Sequence, residues 1–320
     1  MRHYLNFEEK LKPLEMRIAE IGRFYDINDP YYAKEVESLR KRISKTEREI
    51  YSDLTNWQRL QLSRHVNRPH TLDYVHNLFT DFTELHGDRN FRDDPAVVAG
   101  FARFGDTPVA VIGHQKGKDL REMSARNFGM ANPDGYRKAM RVMDMANRWN
   151  KPIITFIDTP GAFPGIGAEE RGQAEAIASS IYFMFSLVVP VICVVIGEGG
   201  SGGALAIGVG NKVLMLENAN YAVISPEGCA AILWRDDAKG PQLAAEALKP
   251  TAYDLLKLKV IDEIIKEPFG GAHRDWEHTF INAGEVLGKH LKETIQLPGD
   301  KLKQARYDKF RKMGIFEERK

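Results

Sequence analysis

Apolar positions recur at helical spacing in the first part of the chain, where most other residues are charged. One stripe consists of Leu5, Leu11, Leu14, Ile18 and Ile21, and a second of Leu39, Ile43, Ile50 and Leu54. Steps of three or four residues place such side chains on one face of a helix. Asn28, Asp29 and Pro30 interrupt the pattern between the stripes. We therefore predict an α-hairpin that needs a partner surface for its apolar stripes.

From residue 79 to 269 the pattern changes to short β-branched runs separated by segments of helical period, which is typical of an α/β fold. We predict strands over 96–104, 109–113, 153–157, 191–196, 213–216 and 221–224, and a helix over 133–149. The tail is helical again and ends in a basic stretch that favours a solvated helix face. This predicts three parts: an N-terminal helical hairpin (1–65), an α/β domain (66–274) and a C-terminal helical extension (275–320).

The run 191–196 leads directly into GEGGSGG at 197–203, which contains five glycines in seven residues. Glycine permits positive φ and lets a ligand approach the main chain. The ALAIG segment that follows predicts the start of a closely packed helix, whose first N–H groups have no internal partners. The pattern therefore predicts a site built from backbone amides, suited to an oxyanion or a phosphate.

Three known site types share letters with these turns. GEGGSG at 197–202 fits the dinucleotide pattern, with Glu217 near the position of the ribose-binding acid, but sixteen residues between Ile196 and Val213 leave too little chain for a crossover helix. DTPG at 158–161 resembles a GTPase switch, but the sequence contains no phosphate-binding P-loop. GGSGG at 199–203 has the letters of a hydrolase elbow, but Ser201 has no obvious histidine and aspartate partners. These interpretations are disfavoured.

A second strand, 151–157, runs into DTPGAFPG at 158–165 and then into a helix-like segment, 168–178. Successive strands of a parallel sheet bring such turns to the same carboxyl edge, so we expect one shared pocket. We interpret Asp158 as a turn residue that accepts backbone N–H groups rather than as a general base. Glu169 and Glu170 are explained by a favourable interaction with a helix N-terminus.

Composition excludes several classes of function. The 45 basic and 44 acidic residues give no electrostatic case for nucleic acid as the main partner. Basic clusters at Lys116, Lys118 and Arg121, and at Arg137, Lys138 and Arg141, are expected to be solvated. We find no apolar stretch of about twenty residues and no signal peptide, which predicts a soluble, cytoplasmic protein without a membrane partner.

The two cysteines, Cys193 and Cys229, are expected to be packed thiols in a reducing compartment. Since the sequence contains no C-x-x-C pair, we expect no metal site on this chain.

Several longer words, in order along the chain, resemble one known family. They are GHQKG (113–117), NFGM (127–130), GYRKA (135–139), DTPGA (158–162), GAEERGQ (167–173), GEGGSGGALAIG (197–208) and ISPEG (224–228). Between about residues 51 and 274 the chain resembles the carboxyltransferase α subunit of the multi-subunit acetyl-CoA carboxylase. The resemblance implies a crotonase-like (ClpP-like) fold with a superhelical βα core, an N-terminal helical hairpin and C-terminal helices.

The resemblance also implies a site. The glycine pair whose amides hold the carbonyl of carboxybiotin falls on Gly202 and Gly203, which makes them the expected catalytic residues. Gly161 and Ala162 are expected to form the opposing wall. The other expected residues of the carboxybiotin pocket are Gly199, Gly200, Ser201 and Ala204. The alternative for the glycine pair is close helix–sheet packing that leaves no room for a Cβ atom.

The implied reaction moves a carboxyl group from carboxybiotin, on the biotin carboxyl carrier protein, to acetyl-CoA, forming malonyl-CoA for fatty-acid synthesis in an ATP-dependent complex. The implied partners are a carboxyltransferase β subunit with a zinc ribbon, the carrier protein and biotin carboxylase, in an α₂β₂ core active only when both subunits are present. The alternative is a non-catalytic interaction subunit with a vestigial pocket. Intact glycine turns disfavour that alternative.

Overall fold

The computed structural model describes residues 3–26, 29–234 and 239–314. The predicted hairpin is present as helices α1 (Lys12–Phe24) and α2 (Pro30–Tyr51). Asp29 caps α2, since its side chain accepts the Tyr31 N–H, and Pro30 occupies the first helical position. Of the predicted break, Asn28 lies outside the described residues. Leu11, Ile21 and Leu39 of the two apolar stripes are buried.

Within the described ranges, eight strands form one sheet. They are β1 (Thr80–Glu84), β2 (Val97–Phe104), β3 (Thr107–His114), β4 (Ile153–Thr159), β5 (Val191–Gly200), β6 (Lys212–Leu216), β7 (Asn220–Ala222) and β8 (Glu263–Ile265). Their order is β1-β2-β3-β4-β5-β6-β8, with β7 paired to the end of β5. The first three are antiparallel, and the pairs from β3 to β8 are parallel.

All six predicted strands are present, although the strand predicted to reach residue 224 ends at Ala222. The strands β1 and β8 were not predicted. β1 is largely exposed and β8 has only three residues, so neither shows a continuous apolar run. The formation of such a strand depends on pairing with its neighbour in the sheet rather than on its own sequence pattern.

Twelve further helices surround the sheet in the described residues. They are α3 (Asn56–Ser63), α4 (Thr71–Leu78), α5 (Leu120–Ala125), α6 (Pro133–Arg148), α7 (Ile166–Glu170), α8 (Gln173–Ser186), α9 (Ser201–Leu205), α10 (Pro226–Leu233), α11 (Gly240–Leu248), α12 (Ala252–Lys257), α13 (Trp276–Ile295) and α14 (Gly299–Arg311). The predicted helices over 133–149 and in the C-terminal tail are present as α6, α13 and α14. None of the helices in these ranges combines the length and apolar character needed to span a bilayer.

The prediction of a helix-like segment over 168–178 is wrong in one respect, because the structure divides this segment between α7 and α8. Gly172 adopts the left-handed conformation with φ of 79° between them. The side chain of Gln173 then donates to the carbonyl oxygens of Ala131 and Phe163 at 2.9 Å, which fixes the start of α8. The break lets the turn after β4 fold back over the sheet edge.

The central strands are buried along their length. Every residue of β4 is buried, and all of β5 except its last residue. The buried thiol of Cys193 lies in β5, and burial raises its pKa to about 11; Cys193 and Cys229 are both free thiols. Since β4 and β5 are parallel neighbours, their carboxyl ends open at the same edge of the sheet.

Candidate active site

The two glycine turns meet at the carboxyl ends of β4 and β5, as the sequence predicted. Thr159 pairs with Gly199 across the strand ends. A Cβ atom on Gly200 would lie 2.1 Å from the Pro160 carbonyl oxygen, and one on Gly203 would lie 2.6 Å from the Ala162 nitrogen. The backbones of the two turns are therefore in direct contact.

Packing explains three of these glycines without any ligand. Gly200 and Gly203 face backbone atoms of the other turn, and a Cβ atom on Gly199 would lie 2.7 Å from the Tyr221 ring. Real Cβ atoms do not approach so closely, so each position requires glycine for the fold alone.

Gly202 and Gly161 are different. A Cβ atom on Gly202 would make an ordinary contact with Ile177 at 3.4 Å, and one on Gly161 would meet no atom within 4 Å. Both residues are partly exposed. Packing therefore does not explain glycine at either position. At Gly161 the backbone conformation, with a φ of 156°, favours glycine by itself. Only Gly202 is left to be explained by approach of a ligand to the main chain.

The amides of Gly202 and Gly203 suit an acceptor. These glycines are the second and third residues of α9, where N–H groups have no helical partner. Among the described residues, neither donates to a backbone carbonyl outside its own helix. The five residues of α9 also rule out a dinucleotide-type crossover helix after β5.

Ser201 adopts a φ of 52° between β5 and α9 and is exposed. A serine in this strained position between a strand and a helix has the backbone geometry of a nucleophile elbow. In the part of the chain that the structure describes, however, no histidine forms a hydrogen bond with its hydroxyl group. Nucleophilic catalysis requires such a base, so the geometry does not support a hydrolase.

The two alanines of the predicted pocket differ in exposure. Ala162 is half-buried beside the glycine contact, whereas Ala204 is fully buried in the core. The side chain of Ala204 therefore packs between helix and sheet and does not face an open pocket.

A buried ionic network lies beneath the turns. Lys116 Nζ lies 2.8 Å from Asp158 Oδ1 and 2.7 Å from Glu198 Oε2, and His70 Nδ1 lies 2.9 Å from Asp158 Oδ2. The expectation that Lys116 is solvated is wrong, because only 9 % of it is exposed. Lys138 of the second basic cluster is also buried, paired with Asp93 at 2.6 Å. Carboxylates brought from distant parts of the chain bury these lysines.

Asp158 is a structural residue, as the sequence predicted. Its Oδ1 atom accepts the backbone N–H of Glu198 at 3.0 Å and so joins the end of β4 to the turn after β5. Burial alone would raise the pKa of this carboxyl group, but Lys116 and His70 outweigh burial and hold it well below its usual range. A carboxylate with so little proton affinity is a poor general base.

The network continues to the surface. Arg64 Nε donates to Glu198 at 2.6 Å, and Arg64 Nη1 donates to Glu227 of α10 at 2.5 Å. A second buried pair, Arg68 with Glu267, also fixes this edge, because Arg68 donates to the carbonyl oxygen of Ile196.

Sequence reasoning missed the residues of this ionic network, although Lys116 and Glu198 lie inside the family-like sequence motifs. The sequence did contain a signal for them, since both are charged residues next to glycines at the ends of apolar runs.

His114 ends β3 next to this network and is fully buried. Neither ring nitrogen makes a hydrogen bond of good geometry, although the main chain of Gly203 lies beside the ring. Burial lowers the pKa of this imidazole to about 4, although the Asp158 carboxylate opposes the shift. The ring is therefore neutral at pH 7.

Residues 4–314 match the sequence profile of a family described as acetyl co-enzyme A carboxylase carboxyltransferase-like. The chain belongs to this family. It is 58% identical to the acetyl-coenzyme A carboxylase carboxyl transferase subunit alpha of Syntrophotalea carbinolica over 99% of this chain and 100% of that protein. The subunit of the same name from Thermus thermophilus is 54% identical over 98% and 99% of the two chains. The chain is therefore a carboxyltransferase component of acetyl-CoA carboxylase, an enzyme that depends on biotin.

Solved structures confirm the crotonase-like fold. A transcarboxylase 12S structure superimposes with a TM-score of 0.58 at 20% identity, over 71% of this chain and 42% of that one. A chain of a Pseudomonas malonate decarboxylase hetero-tetramer superimposes with a TM-score of 0.59 at 17% identity, over 74% and 91% of the two chains. At such identities the likeness concerns the fold alone.

Proposed function

We propose that this chain supplies the carboxybiotin-facing half of the site at which a carboxyl group is transferred to acetyl-CoA, giving malonyl-CoA for fatty-acid synthesis. One observation carries the proposal: Gly202 lies on the turn that adjoins Gly161, is partly exposed, and has neither a packing nor a backbone reason to be glycine. A main chain without a side chain at this point is accessible to a ligand that backbone amides bind.

The chemistry required of this chain is electrostatic. Carboxybiotin, delivered on the biotin carboxyl carrier protein, supplies the carboxyl group. The N–H groups of Gly202 and Gly203 would donate to its ureido oxygen and stabilise the negative charge that develops there. Loss of one such donor typically raises the barrier by about 3 kcal/mol. Gly161 and Ala162 form the opposing wall, while Gly199, Gly200 and Ser201 hold the amides in position.

The thioester half of the reaction is assigned to a β subunit with a zinc ribbon, in an α₂β₂ core served by biotin carboxylase. Charge develops on two molecules, and the turns described here offer one set of donors. The alternative, a non-catalytic interaction subunit, is disfavoured because the glycines open to a ligand are intact. We place the assembly in the cytoplasm.

Gly202→Ala tests the proposal. The new Cβ atom makes only ordinary contacts, so the free energy of unfolding should hardly change. Alanine keeps the backbone N–H, but its methyl group would stand where the ligand approaches the main chain, so carboxybiotin turnover by the assembled enzyme should fall on the order of a hundredfold. The KM for acetyl-CoA should be unchanged, because the β subunit binds it. The measurement is carboxybiotin-dependent malonyl-CoA formation, with urea unfolding in parallel.

The matched control is Gly288→Ala on α13, where a Cβ atom would also make an ordinary contact, with Phe104 at 3.5 Å. It should leave both rate and stability unchanged. Gly203→Ala, by contrast, should lose stability, because its Cβ atom meets the backbone of the other turn. Near-normal turnover by a folded Gly202→Ala complex would sink the proposal for this residue.

A further inference from the structure

Outside the glycine turns, the side chains of two histidines and a glutamate from three separate segments of the chain lie close together. Glu8 lies in the short turn before α1, His65 follows α3, and His273 precedes α13. The side chains of Glu8 and His273 are 0% and 4% exposed, and His65 is 3% exposed. His273 Nε2 lies 3.1 Å from Glu8 Oε1, and the ring centres of His65 and His273 are 4.1 Å apart. One ligand atom from each residue lies within 4.8 Å of the others.

The hydrogen bonds around these residues orient the carboxylate and leave one histidine nitrogen without a partner. The Nδ1 atom of His273 is buried and has no hydrogen-bond partner. Glu8 accepts the Tyr51 hydroxyl and the Leu5 N–H, which orient its carboxylate. Nδ1 of His65 accepts the Asn67 N–H, and Nε2 of His273 faces the Glu8 carboxylate while its Nδ1 has no partner, which is the hydrogen-bond pattern of neutral imidazoles. A divalent metal requires its histidine ligands in this protonation state.

We propose that Glu8, His65 and His273 bind one Zn²⁺ ion. Two imidazole nitrogens and one carboxylate oxygen form a donor set that zinc takes readily. His3 could supply a fourth donor, since its ring centre lies 5.4 Å from that of His65. Spacings of up to 4.8 Å must close to roughly 3.4 Å around a tetrahedral ion. The segment before α1 and the loop before α13 would have to draw together by that amount.

With Nε2 as the ligand atom of each histidine, which is the arrangement we propose, binding moves two protons within the rings and releases none. In His273 the proton passes from Nε2, which faces Glu8, to the unpartnered Nδ1, so the ring loses only its bond to the new co-ligand. In His65 it passes from Nε2, 3.2 Å from the His3 carbonyl oxygen, to Nδ1, which now accepts the Asn67 N–H at 3.1 Å. Two hydrogen bonds of His65 are given up, a small loss beside the free energy with which proteins bind zinc.

The site would act as a clasp. It joins the segment before α1 to the loop that leads into α13, beside the ion pair of Arg274 with Glu47 of α2 at 3.0 Å. The expectation of no metal on this chain rested on cysteine spacing, which cannot detect a set of histidine and glutamate ligands separated by more than two hundred residues.

Metal titration of the full chain tests the proposal. The chain is produced without a β subunit, stripped with a chelator and titrated with Zn²⁺, and in parallel with Co²⁺, whose visible absorption reports tetrahedral nitrogen and oxygen ligation. We expect one ion per chain, a raised melting temperature with zinc, and loss of both effects in His65→Ala and His273→Ala. The matched control is His278→Ala, which removes an exposed histidine paired with Asp275 at 2.8 Å and should bind as the parent does.

Failure of the parent chain to retain a stoichiometric ion, or equal loss of binding in the His278→Ala control, would overturn the site. If the cluster variants do not fold, nitrogen NMR of the unaltered chain decides. Zinc must convert His65 from the Nε2–H to the Nδ1–H tautomer, and an unchanged tautomer at saturating zinc contradicts the proposal.

Discussion

Individual buried charged residues stabilise the edge of the sheet where the glycine turns meet. Lys116 lies between two carboxylates from different strands, and Asp158 accepts a backbone N–H from the opposite turn. Although burial alone would lower the pKa of Lys116, the carboxylates of Asp158 and Glu198 raise it. The lysine is therefore charged at neutral pH, where it links the ends of both strands through their carboxylates.

Lys116→Met should destabilise the protein by about 3 kcal/mol, because it leaves two buried carboxylates without the cation between them. Urea unfolding measures the loss. Lys118→Met is the control: Lys118 also pairs with a carboxylate, Asp73 at 2.6 Å, but its side chain is 58% exposed. Exposed pairs contribute less than about 1 kcal/mol. Equal, small losses in the two variants would contradict the importance we assign to the buried network.

His114 should make stability depend on pH in a defined window. Its folded pKa of about 4 lies below the value of about 6.5 for an unfolded histidine, so the unfolded chain binds an extra proton between these pH values. The contribution of the neutral ring is complete above pH 6.5 and is lost as the pH falls towards 4. At pH 5 the loss is about 2 kcal/mol.

His114→Leu, which places an apolar side chain where neither ring nitrogen makes a hydrogen bond of good geometry, should remove that part of the pH dependence. Urea unfolding at pH 7 and pH 5 checks this, with His278→Leu, at an exposed position, as the control. An unchanged slope in His114→Leu would show that another group is responsible.

At the scale of elements, polar contacts attach the hairpin of α1 and α2 to the rest of the chain. Arg274 pairs with Glu15 of α1 and with Glu47 of α2, and His273 Nε2 lies 3.1 Å from Glu8 Oε1, just before α1. The following helix, α3, is different, because Leu60 and Leu62 are buried within the main body. The boundary between a removable hairpin and the folded body therefore lies before α3.

A chain lacking residues 1–53 should remain folded but associate more weakly with its β subunit, since the exposed part of the apolar stripes is then lost as an interface. Size-exclusion chromatography of the mixed subunits measures association, and circular dichroism with urea unfolding measures the fold of the shortened chain. A complex of unchanged size and stability after this deletion would show that the hairpin is not an assembly element.

For the whole molecule, the proposed function assigns one set of backbone donors to this chain, whereas the reaction develops charge on two molecules. The purified chain should therefore form no malonyl-CoA from carboxybiotin and acetyl-CoA until a β subunit is added. The assay is run with and without that subunit, after mass spectrometry has shown the α preparation to be free of it. Appreciable synthesis by the chain alone would overturn the half-site assignment.

Much of this structure could be read from local patterns. The β-branched runs of β3 to β6 are buried on both faces, so their apolar character was continuous and easily recognised. The glycine turns were recognisable in the sequence because the backbone conformation and the close contacts there favour glycine. β1 and β8, and the break at Gly172, were missed because neighbouring elements decide them.

The sequence by itself determined the α/β class, the hairpin, the family and the position of the glycine turns, because each depends on residue types within a short window. Only the tertiary structure decided which glycines serve packing and which remain open to a ligand, since that depends on atoms of the opposite turn. It also decided that Lys116 is buried between Asp158 and Glu198, and that Glu8, His65 and His273 meet. Such contacts join residues that are distant in sequence, and no local pattern encodes them.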